Sequence, residues 1–288
     1  MLGYCCISLG GESKFKTTTL TSIKKENEPK QKLFRLFKSN LEELSRILSY
    51  NTTNNLPLYR ISSSLFPLWD HPEYSKYFEE FCEDVTNFAT VKNDILKYLE
   101  LGGRLSTHPS QFCVISSSKE QTNINGIKNL EVHAKTFDLF GLPRNHFAPI
   151  NIHISNGTKA DENTASIVKS NIDKLSEGVK SRLVFENEDG GGWRVENIKK
   201  HFDIPITFDY HHHRCNNTIS HEDAINIAVE TWKDTTPLFH ISSGKKSPTD
   251  RSHSDYLTDE DADYLRQQKY DWDVEVKAKD LAVLKILS

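Results

Sequence analysis

Short apolar runs alternate with amphipathic stretches along almost the whole chain. The apolar runs predict eight strands, at 2–8, 56–62, 103–108, 148–155, 182–187, 204–210, 237–242 and 271–277. Between them, apolar positions three and four residues apart predict helices at 33–50, 73–101, 122–140, 161–177, 194–202, 220–233 and 258–269. Most of the strands are apolar at consecutive positions, which is typical of parallel strands that are covered on both faces.

This order of elements predicts an α/β fold, a single (β/α)8 TIM barrel with extended loops at the carboxyl ends of its strands. The chain has 288 residues, and we expect one domain, 1–288, because α/β barrels of this size fold around one core. A polar stretch from residue 10 to residue 31 predicts a long loop after the first strand.

Composition narrows the class of protein. With 36% hydrophobic and 26% charged residues, the chain resembles ordinary globular proteins rather than disordered ones. No apolar run approaches the ~20 residues of a membrane helix, and the amino terminus lacks a signal-peptide pattern. Five cysteines without CxxC spacing favour an intracellular, reducing compartment, the cytoplasm of a prokaryote or the nucleus of a eukaryote.

Six predicted strands end on a residue that can bind a metal ion. These residues are His108, His153, Glu186, Asp209, His240 and Glu275. They recur on average about every 33 residues, close to the ~31 per unit of a 250-residue barrel. Strand ends that merely meet water would carry Asn, Ser, Thr and Lys as well. Because barrel strands end at a common mouth, we expect the six side chains to converge there on metal ions.

The segment FDYHHH (208–213) is the densest in such groups. Asp209 and His212 can hold the same or neighbouring ions from the strand end and its loop, with His211 or His213 as alternatives to His212. His253 lies on the long seventh loop, which can fold back over the mouth, and Asp255 beside it is a further candidate.

Carboxylates mixed with imidazoles, without thiolates, select Mn²⁺, Zn²⁺ or Fe²⁺ over Ca²⁺ or a structural zinc. Eight candidate ligands suit two or three ions, with Glu186 as a bridging carboxylate. Such clusters hydrolyse phosphoesters. The net charge of −4 argues against a nucleic-acid partner, but bound divalent cations would reverse the field at the cleft.

Several motifs, in this order, are similar to those of the ultraviolet damage endonucleases, relatives of endonuclease IV and of the xylose-isomerase-like barrels. The motifs are LGYCCISL (2–9), LYRISSSLFPLWDHP (58–72), RLSTHPSQF (104–112), NIHIS (151–155), FENED (185–189), FDYHHH (208–213), FHISS (239–243), HSDY (253–256) and VEVK (274–277). They span nearly the whole chain, so we expect membership of this family.

The resemblance implies a DNA repair endonuclease that cuts the backbone 5′ to ultraviolet photoproducts and leaves a 3′-hydroxyl. It implies damaged double-stranded DNA as the partner and two or three Mn²⁺ ions as cofactor, with Zn²⁺, Co²⁺ or Mg²⁺ as alternatives. We expect a monomer without a nucleotide cofactor. The matching metal-site residues are His108, His153, Glu186, Asp209, His212, His240, His253 and Glu275.

Gln111 and Phe112 match a pair of side chains that the family inserts into the duplex opposite the lesion. An amide and an aromatic ring on an exposed loop can replace lost pairing and stacking when damaged bases flip out. Alternatively, Phe112 caps the barrel.

The resemblance also implies a group of residues near the scissile phosphate, where a phenol, a cation or an imidazole stabilises developing charge. Its members are Tyr4, Arg60, His71 and Lys277, of which Arg60 is predicted to bind DNA and the other three, with Glu186, to be catalytic.

Three positions depart from the family pattern. Phe112 stands where Tyr is common, so the contact relies on stacking without a hydroxyl. Ser8 stands where Asn is common. Leu238 replaces a lysine that some members carboxylate near the metals, so that modification cannot occur here.

Two other functions compete with a repair nuclease. One is a sugar isomerase or epimerase on the same barrel, with similar ligands around fewer metals. The loops 63–72 and 108–112 disfavour it, because we expect them to present apolar probes suited to a flexed duplex. The other is a non-catalytic damage-binding module, which would not need eight metal ligands.

Overall fold

The computed structural model describes residues 1–154, 158–233 and 235–288. Its eight strands are β1 Leu2–Cys5, β2 Leu58–Ile61, β3 Arg104–Thr107, β4 Ile150–His153, β5 Leu183–Glu186, β6 Ile206–Thr207, β7 Leu238–Ile241 and β8 Asp271–Val274. All the paired strands are parallel, in the order β6-β5-β4-β3-β2-β1-β8-β7. A parallel bridge from Asp209 to His240 brings the two outer strands together. The predicted TIM barrel is therefore confirmed.

The helices run between the strands. They are α1 Leu20–Ile23, α2 Pro29–Thr53, α3 Ser75–Glu83, α4 Ala89–Glu100, α5 Glu120–Phe140, α6 Glu162–Asp173, α7 Glu177–Lys180, α8 Val195–His201, α9 Tyr210–Cys215, α10 His221–Thr231, α11 Asp259–Arg266 and α12 Lys279–Leu287, with a 3₁₀ turn at Val85–Phe88. Helix α2 begins at Pro29 and buries the apolar stripe that the sequence pattern predicts. Helix α5 ends at Gly141, whose φ of +76° is the left-handed conformation that favours glycine.

The largest part of the core lies between the strands and the helices. An aromatic cluster joins α2 and α3 to the loop after β2, with Phe37, Phe66 and Phe78 in mutual ring contact. Leu65, Phe66 and Trp69 are all buried. The prediction that loop 63–72 presents apolar probes is therefore wrong, because these side chains pack into the core.

Other differences from the predicted elements concern ends and short helices. The predicted strand 148–155 is observed to His153 as β4, and its last residue, Ser155, lies outside the described residues. The segment 210–215, predicted as a strand end and a loop, forms α9, and α12 was not predicted. Among the described residues, none of the helices combines the length and apolar character that a membrane crossing requires.

Charged side chains are buried inside the barrel. At its amino end Arg104 is fully buried and pairs with Asp271 at 2.7 Å, and Asp271 also contacts the terminal amine of Met1 at 2.6 Å. At the carboxyl end, the strands deliver imidazoles and carboxylates. The barrel therefore holds charge at both ends of its axis.

Candidate metal centre

Strand ends bring the predicted ligands together at the mouth of the barrel. His153 and Glu186 are the last residues of β4 and β5, and the two are register partners. His108 and Glu275 each follow the last residue of a strand, and His240 lies within β7. Because alternate residues of a strand face the same side, these positions direct their side chains into the barrel mouth.

The Glu186 carboxylate is the centre of the cluster. One of its oxygens, Oε2, lies 3.2 Å from His108 Nε2 and 3.1 Å from His240 Nδ1. The other, Oε1, lies 3.2 Å from His212 Nδ1 and 3.7 Å from His153 Nε2. Four imidazoles from four different βα units therefore surround one buried carboxylate.

A second carboxylate, Glu275, joins the cluster through His240. The Nδ1 atom of His240 is 3.1 Å from Glu275 Oε1, the same distance that separates it from Glu186. The Arg60 guanidinium forms an ion pair with the same Glu275 oxygen and approaches His240 Nε2 to 3.3 Å. His240 thus lies between two carboxylates on one side of its ring and a cation on the other.

Asp209 and His212 owe their positions to the start of helix α9. Asp209 is the N-cap, and its Oδ1 accepts a hydrogen bond of 2.7 Å from the His212 backbone N–H. One helical turn then places the His212 ring 3.8 Å from Asp209 Oδ2. The alternatives have other contacts: Nε2 of His211 lies 2.9 Å from the Asp250 carbonyl oxygen, and Nε2 of His213 lies 3.1 Å from that of Ile219.

The carboxylates ionise differently. Burial opposes ionisation of Glu186, but the imidazoles of His240 and His153 hold its pKa well below the usual range. Burial also opposes ionisation of Glu275, where Arg60 and His240 lower the pKa. At Asp209, burial outweighs the attraction of His212 and raises the pKa. Two negative charges are therefore fixed at the centre.

The imidazoles respond to these charges. Burial disfavours the cationic form of His240, but Glu186 and Glu275 raise its pKa to about 9. His212 shows the same balance, in which Asp209 and Glu186 hold its pKa well above the ordinary value. Protons on these rings compensate for carboxylate charge, a task that a metal cation can also perform.

The donor atoms suit a metal cluster. Ligand atoms within 4.8 Å of one another form three groups: His108 with His153 and Glu186, Glu186 with Asp209 and His212, and Asp209 with His240 and Glu275. Within residues 1–154, 158–233 and 235–288, Asp209 Oδ2 and His240 Nδ1 are buried and have no hydrogen-bond partner. Buried donors without partners beside shared carboxylates fit a site for divalent cations.

His253 lies at the edge of this cluster. It is half-buried on the loop after β7, and its Nδ1 atom is 2.6 Å from the Glu275 carbonyl oxygen. It is not part of the three groups, although it lowers the pKa of Glu275, an effect smaller than those of Arg60 and His240.

Tyr4 does not reach the cluster. Its ring is fully buried, and its hydroxyl donates a hydrogen bond of 2.6 Å to Asn51 Oδ1 on α2. Its neighbour Cys5 is the register partner of Arg60, whose side chain faces the barrel interior, so Tyr4 faces the helix layer. The prediction that Tyr4 contacts the scissile phosphate conflicts with this geometry.

The other predicted phosphate contacts lie in different environments. Arg60 is buried, and its guanidinium is engaged by Glu275, so it supports a predicted ligand rather than facing the solvent. Lys277 is exposed, two residues beyond Glu275. His71 is half-buried in the loop after β2, where its Nδ1 accepts a hydrogen bond from the Glu73 backbone N–H.

Gln111 and Phe112 are exposed on the loop that follows β3. Phe112 keeps 74% of its surface accessible, more than the other large apolar side chains of the described chain. The loop begins at His108, so the exposed ring is four residues from a predicted ligand. An aromatic ring that is 74% accessible does not cap the barrel.

Three polar residues that the sequence did not single out also face the cluster. Asn151 Nδ2 donates a hydrogen bond to Glu186 Oε2, and Glu188 Oε2 is 3.6 Å from His153 Nδ1. Asp273 Oδ2 is 3.8 Å from His240 Nε2, and burial raises the pKa of Asp273 to about 6. Each lies two residues from a predicted ligand, so strand alternation was an available signal.

The chain matches one family over its full length. The family model described as UV-endonuclease UvdE covers residues 1–288. The UV DNA damage endonuclease of Bacillus cereus strain B4264 is 32% identical over 295 residues, covering 96% of this chain and 89% of the relative. That of Bacillus anthracis strain A0248 is 33% identical over 291 residues with the same coverage.

Solved structures agree with these matches. The crystal structure of SacUVDE has a TM-score of 0.82 and 26% sequence identity, covering 99% of this chain and 96% of that one. A sugar phosphate isomerase/epimerase from Anabaena variabilis has a TM-score of 0.51 and 10% identity, covering 99% of this chain and 88% of its own. The second likeness concerns the fold alone.

Proposed function

This chain belongs to the UV-endonuclease UvdE family, and from that premise we propose that it hydrolyses the DNA backbone 5′ to ultraviolet photoproducts. The single observation that supports this proposal best is the Glu186 carboxylate, which four imidazoles surround at 3.1 to 3.7 Å. A site built this way binds hard or borderline divalent cations. Other distorting lesions form a natural extension of the substrate class.

We propose Mn²⁺, in two or three ions, as the cofactor. The residues that would hold the ions are His108, His153, Glu186, Asp209, His212, His240, His253 and Glu275. When bound, divalent cations supply Lewis-acid polarisation of the phosphodiester and activation of a water molecule.

The side chains around these ligands have supporting tasks. Arg60 fixes Glu275 by an ion pair in the barrel interior, and Asn151 fixes Glu186 by a hydrogen bond. The exposed ammonium of Lys277 is available to contact a phosphate, and His71 is proposed to lie near the scissile phosphate. Rigid strand ends keep the ligands in place before DNA arrives, which reduces the reorganisation that the reaction requires.

Recognition of damage falls to the exposed loop at Gln111 and Phe112. A flipped lesion leaves a gap in the duplex, which an accessible aromatic ring can fill by stacking on the remaining bases. Because Phe112 is already exposed, it can enter a duplex without first leaving the core. A closed sugar pocket would not need such a side chain, so the isomerase alternative has no feature of its own in support.

The test uses supercoiled plasmid with and without ultraviolet irradiation. We expect the purified chain with Mn²⁺ to nick irradiated plasmid and to spare the unirradiated form, and DNA polymerase to extend the nicks from a 3′-hydroxyl. Glu186→Gln protein purified in the same way controls for contaminating nucleases. Absence of nicking with Mn²⁺, Mg²⁺, Zn²⁺ and Co²⁺ alike would refute the proposal.

A further inference from the structure

Asp273 is a buried carboxylate beneath the metal centre. It lies on β8, two residues before Glu275, and it has no exposed surface. Within the described parts of the chain, neither of its oxygens has a hydrogen-bond partner. A buried ionisable group without a partner is costly, so its presence calls for a function. The nearest predicted ligand is His240, whose Nε2 atom is 3.8 Å from Asp273 Oδ2.

The two nitrogens of His240 face opposite surroundings. Nδ1 is 3.1 Å from both Glu186 and Glu275 and thus points to the predicted ions. Nε2 points away, toward Arg60 at 3.3 Å and Asp273. A neutral imidazole that gives its Nδ1 lone pair to a metal carries its proton on Nε2. That N–H cannot accept a hydrogen bond from Arg60, and it needs an acceptor.

We propose that Asp273 is a positioning residue of the metal centre, which accepts a hydrogen bond from His240 Nε2–H and holds the ring with Nδ1 toward the metal. This inference rests on the proposed function, because it assigns a role at the same site. Closing the 3.8 Å separation to a hydrogen bond takes a movement of about 1 Å. Such carboxylate partners fix the orientation of histidine ligands in metalloenzymes.

Two other histidines of the cluster, His108 and His253, have comparable partners, whereas Nδ1 of His212 faces both Glu186 Oε1 at 3.2 Å and the Asn187 carbonyl oxygen at 3.0 Å. His108 Nδ1 is 2.8 Å from the Pro109 carbonyl oxygen, and His253 Nδ1 is 2.6 Å from that of Glu275. Asp273 is the acceptor that faces the corresponding nitrogen of His240. Asp273 would thus do for His240 what the carbonyl oxygens do for His108 and His253, namely accept a hydrogen bond from one ring nitrogen and leave the other free for a metal.

Asp273→Asn tests the proposal, because it removes the charge and keeps the shape. We expect Mn²⁺ to bind 10- to 100-fold more weakly, measured by titration calorimetry with Mn²⁺ alone. The thermal midpoint of the metal-free protein should not fall, because Asp273 has no hydrogen bond among the described residues and a neutral amide costs less to bury than a carboxylate. Asp271→Asn is the matched control on the same strand. It should lower the thermal midpoint and leave Mn²⁺ affinity within about twofold.

A second variant separates positioning from a general effect of charge. In a His240→Gln background, Asp273→Asn should weaken Mn²⁺ binding by no more than about twofold, because its partner is already gone. A 10- to 100-fold loss of Mn²⁺ affinity in that background would overturn the proposal. If wild type nicks irradiated plasmid but Asp273→Asn binds Mn²⁺ as tightly as wild type, the role of Asp273 is refuted. If the Mn²⁺ affinities change as expected but wild type does not nick irradiated plasmid, only the proposed nuclease activity is refuted.

Wild-type protein provides a test that does not depend on folding of the variants. Long-range proton–nitrogen NMR of the Zn²⁺-loaded chain reports which nitrogen of each histidine carries a proton. We expect Nε2 of His240, assigned by its loss in His240→Gln, to be protonated and Nδ1 to be metal-bound. The opposite tautomer would refute the role of Asp273.

Discussion

The two ends of the barrel interior both bury charge, but they treat it differently. At the amino end, Arg104 donates to the carbonyl oxygens of Phe147, Thr236 and His146 at 2.8 to 2.9 Å and pairs with Asp271. At the carboxyl end, carboxylates and imidazoles crowd around Glu186, and among the residues that the structure describes several of their donor atoms, including Asp209 Oδ2 and His240 Nδ1, have no hydrogen-bond partner.

The difference distinguishes buried charge that stabilises the fold from buried charge that is suited to binding cations. In Arg104 all three guanidinium nitrogens donate hydrogen bonds, four in total, and this network holds loops of the amino end together. The carboxyl end is left incomplete by its own side chains, and cations can complete it. Incomplete networks persist only where the surrounding structure enforces them, and here the strand ends do so.

The largest expected effect comes from Glu186→Gln. The substitution keeps the shape and removes the central charge, so it should lower the nicking rate of irradiated plasmid by ~10³-fold or more. Folding should survive, because the amino-end network is untouched. Glu177→Gln, on an exposed carboxylate, is the control and should nick at the wild-type rate. A near-normal nicking rate in Glu186→Gln would contradict the proposal that the carboxyl end of the barrel, unlike the amino end, serves catalysis.

Arg104→Met addresses the opposite end. It leaves Asp271 buried with one partner fewer and three carbonyl oxygens without their donor, so we expect a loss of about 3–5 kcal/mol in the free energy of unfolding. The folded fraction should still nick irradiated plasmid. The matched control is Arg266→Met, on an exposed ion pair, which should cost under about 1 kcal/mol in urea titration.

Phe112→Ala should have the smallest effect of the three substitutions, and it tests a residue that lies outside the barrel interior. The exposed ring belongs to neither buried network, so unfolding and Mn²⁺ affinity should stay at wild-type values. Affinity for a photoproduct-containing duplex should fall by about 1–3 kcal/mol, the usual worth of one base stack, as fluorescence anisotropy can measure. Leu101→Ala, an equally accessible apolar position, is the control. Equal affinity of Phe112→Ala and wild type for the damaged duplex would show that Phe112 does not insert into the duplex.

Much of the fold was predictable from periodicity. Consecutive apolar runs and amphipathic helices led to eight parallel strands and a barrel, because both patterns reflect burial that local spacing already encodes. Helix α9 was harder to predict from the sequence, because FDYHHH continues an apolar strand without a helical repeat. Its N-cap at Asp209 forms only in the folded loop. Loop 63–72 was misjudged because an apolar loop can face either the solvent or the core.

The site shows the same limit at the level of single side chains. Strand-end positions were sufficient to bring His108, His153, Glu186 and His240 together. The direction of the Tyr4 side chain could not be predicted in the same way. The run from Leu2 to Cys5 is apolar on both faces, so its pattern does not show which side chains face the barrel interior.

By itself, the sequence determined the barrel, the strand-end positions of the predicted ligands and the place of Phe112 on a loop, because spacing along a strand and residue chemistry are local properties. The tertiary structure alone decided which histidine nitrogens face Glu186, that Arg60 supports Glu275, and that Asp273 lies behind His240. These relations join residues more than 30 positions apart, or depend on the register between strands. They exist only once the barrel closes and brings distant strand ends within a few ångströms.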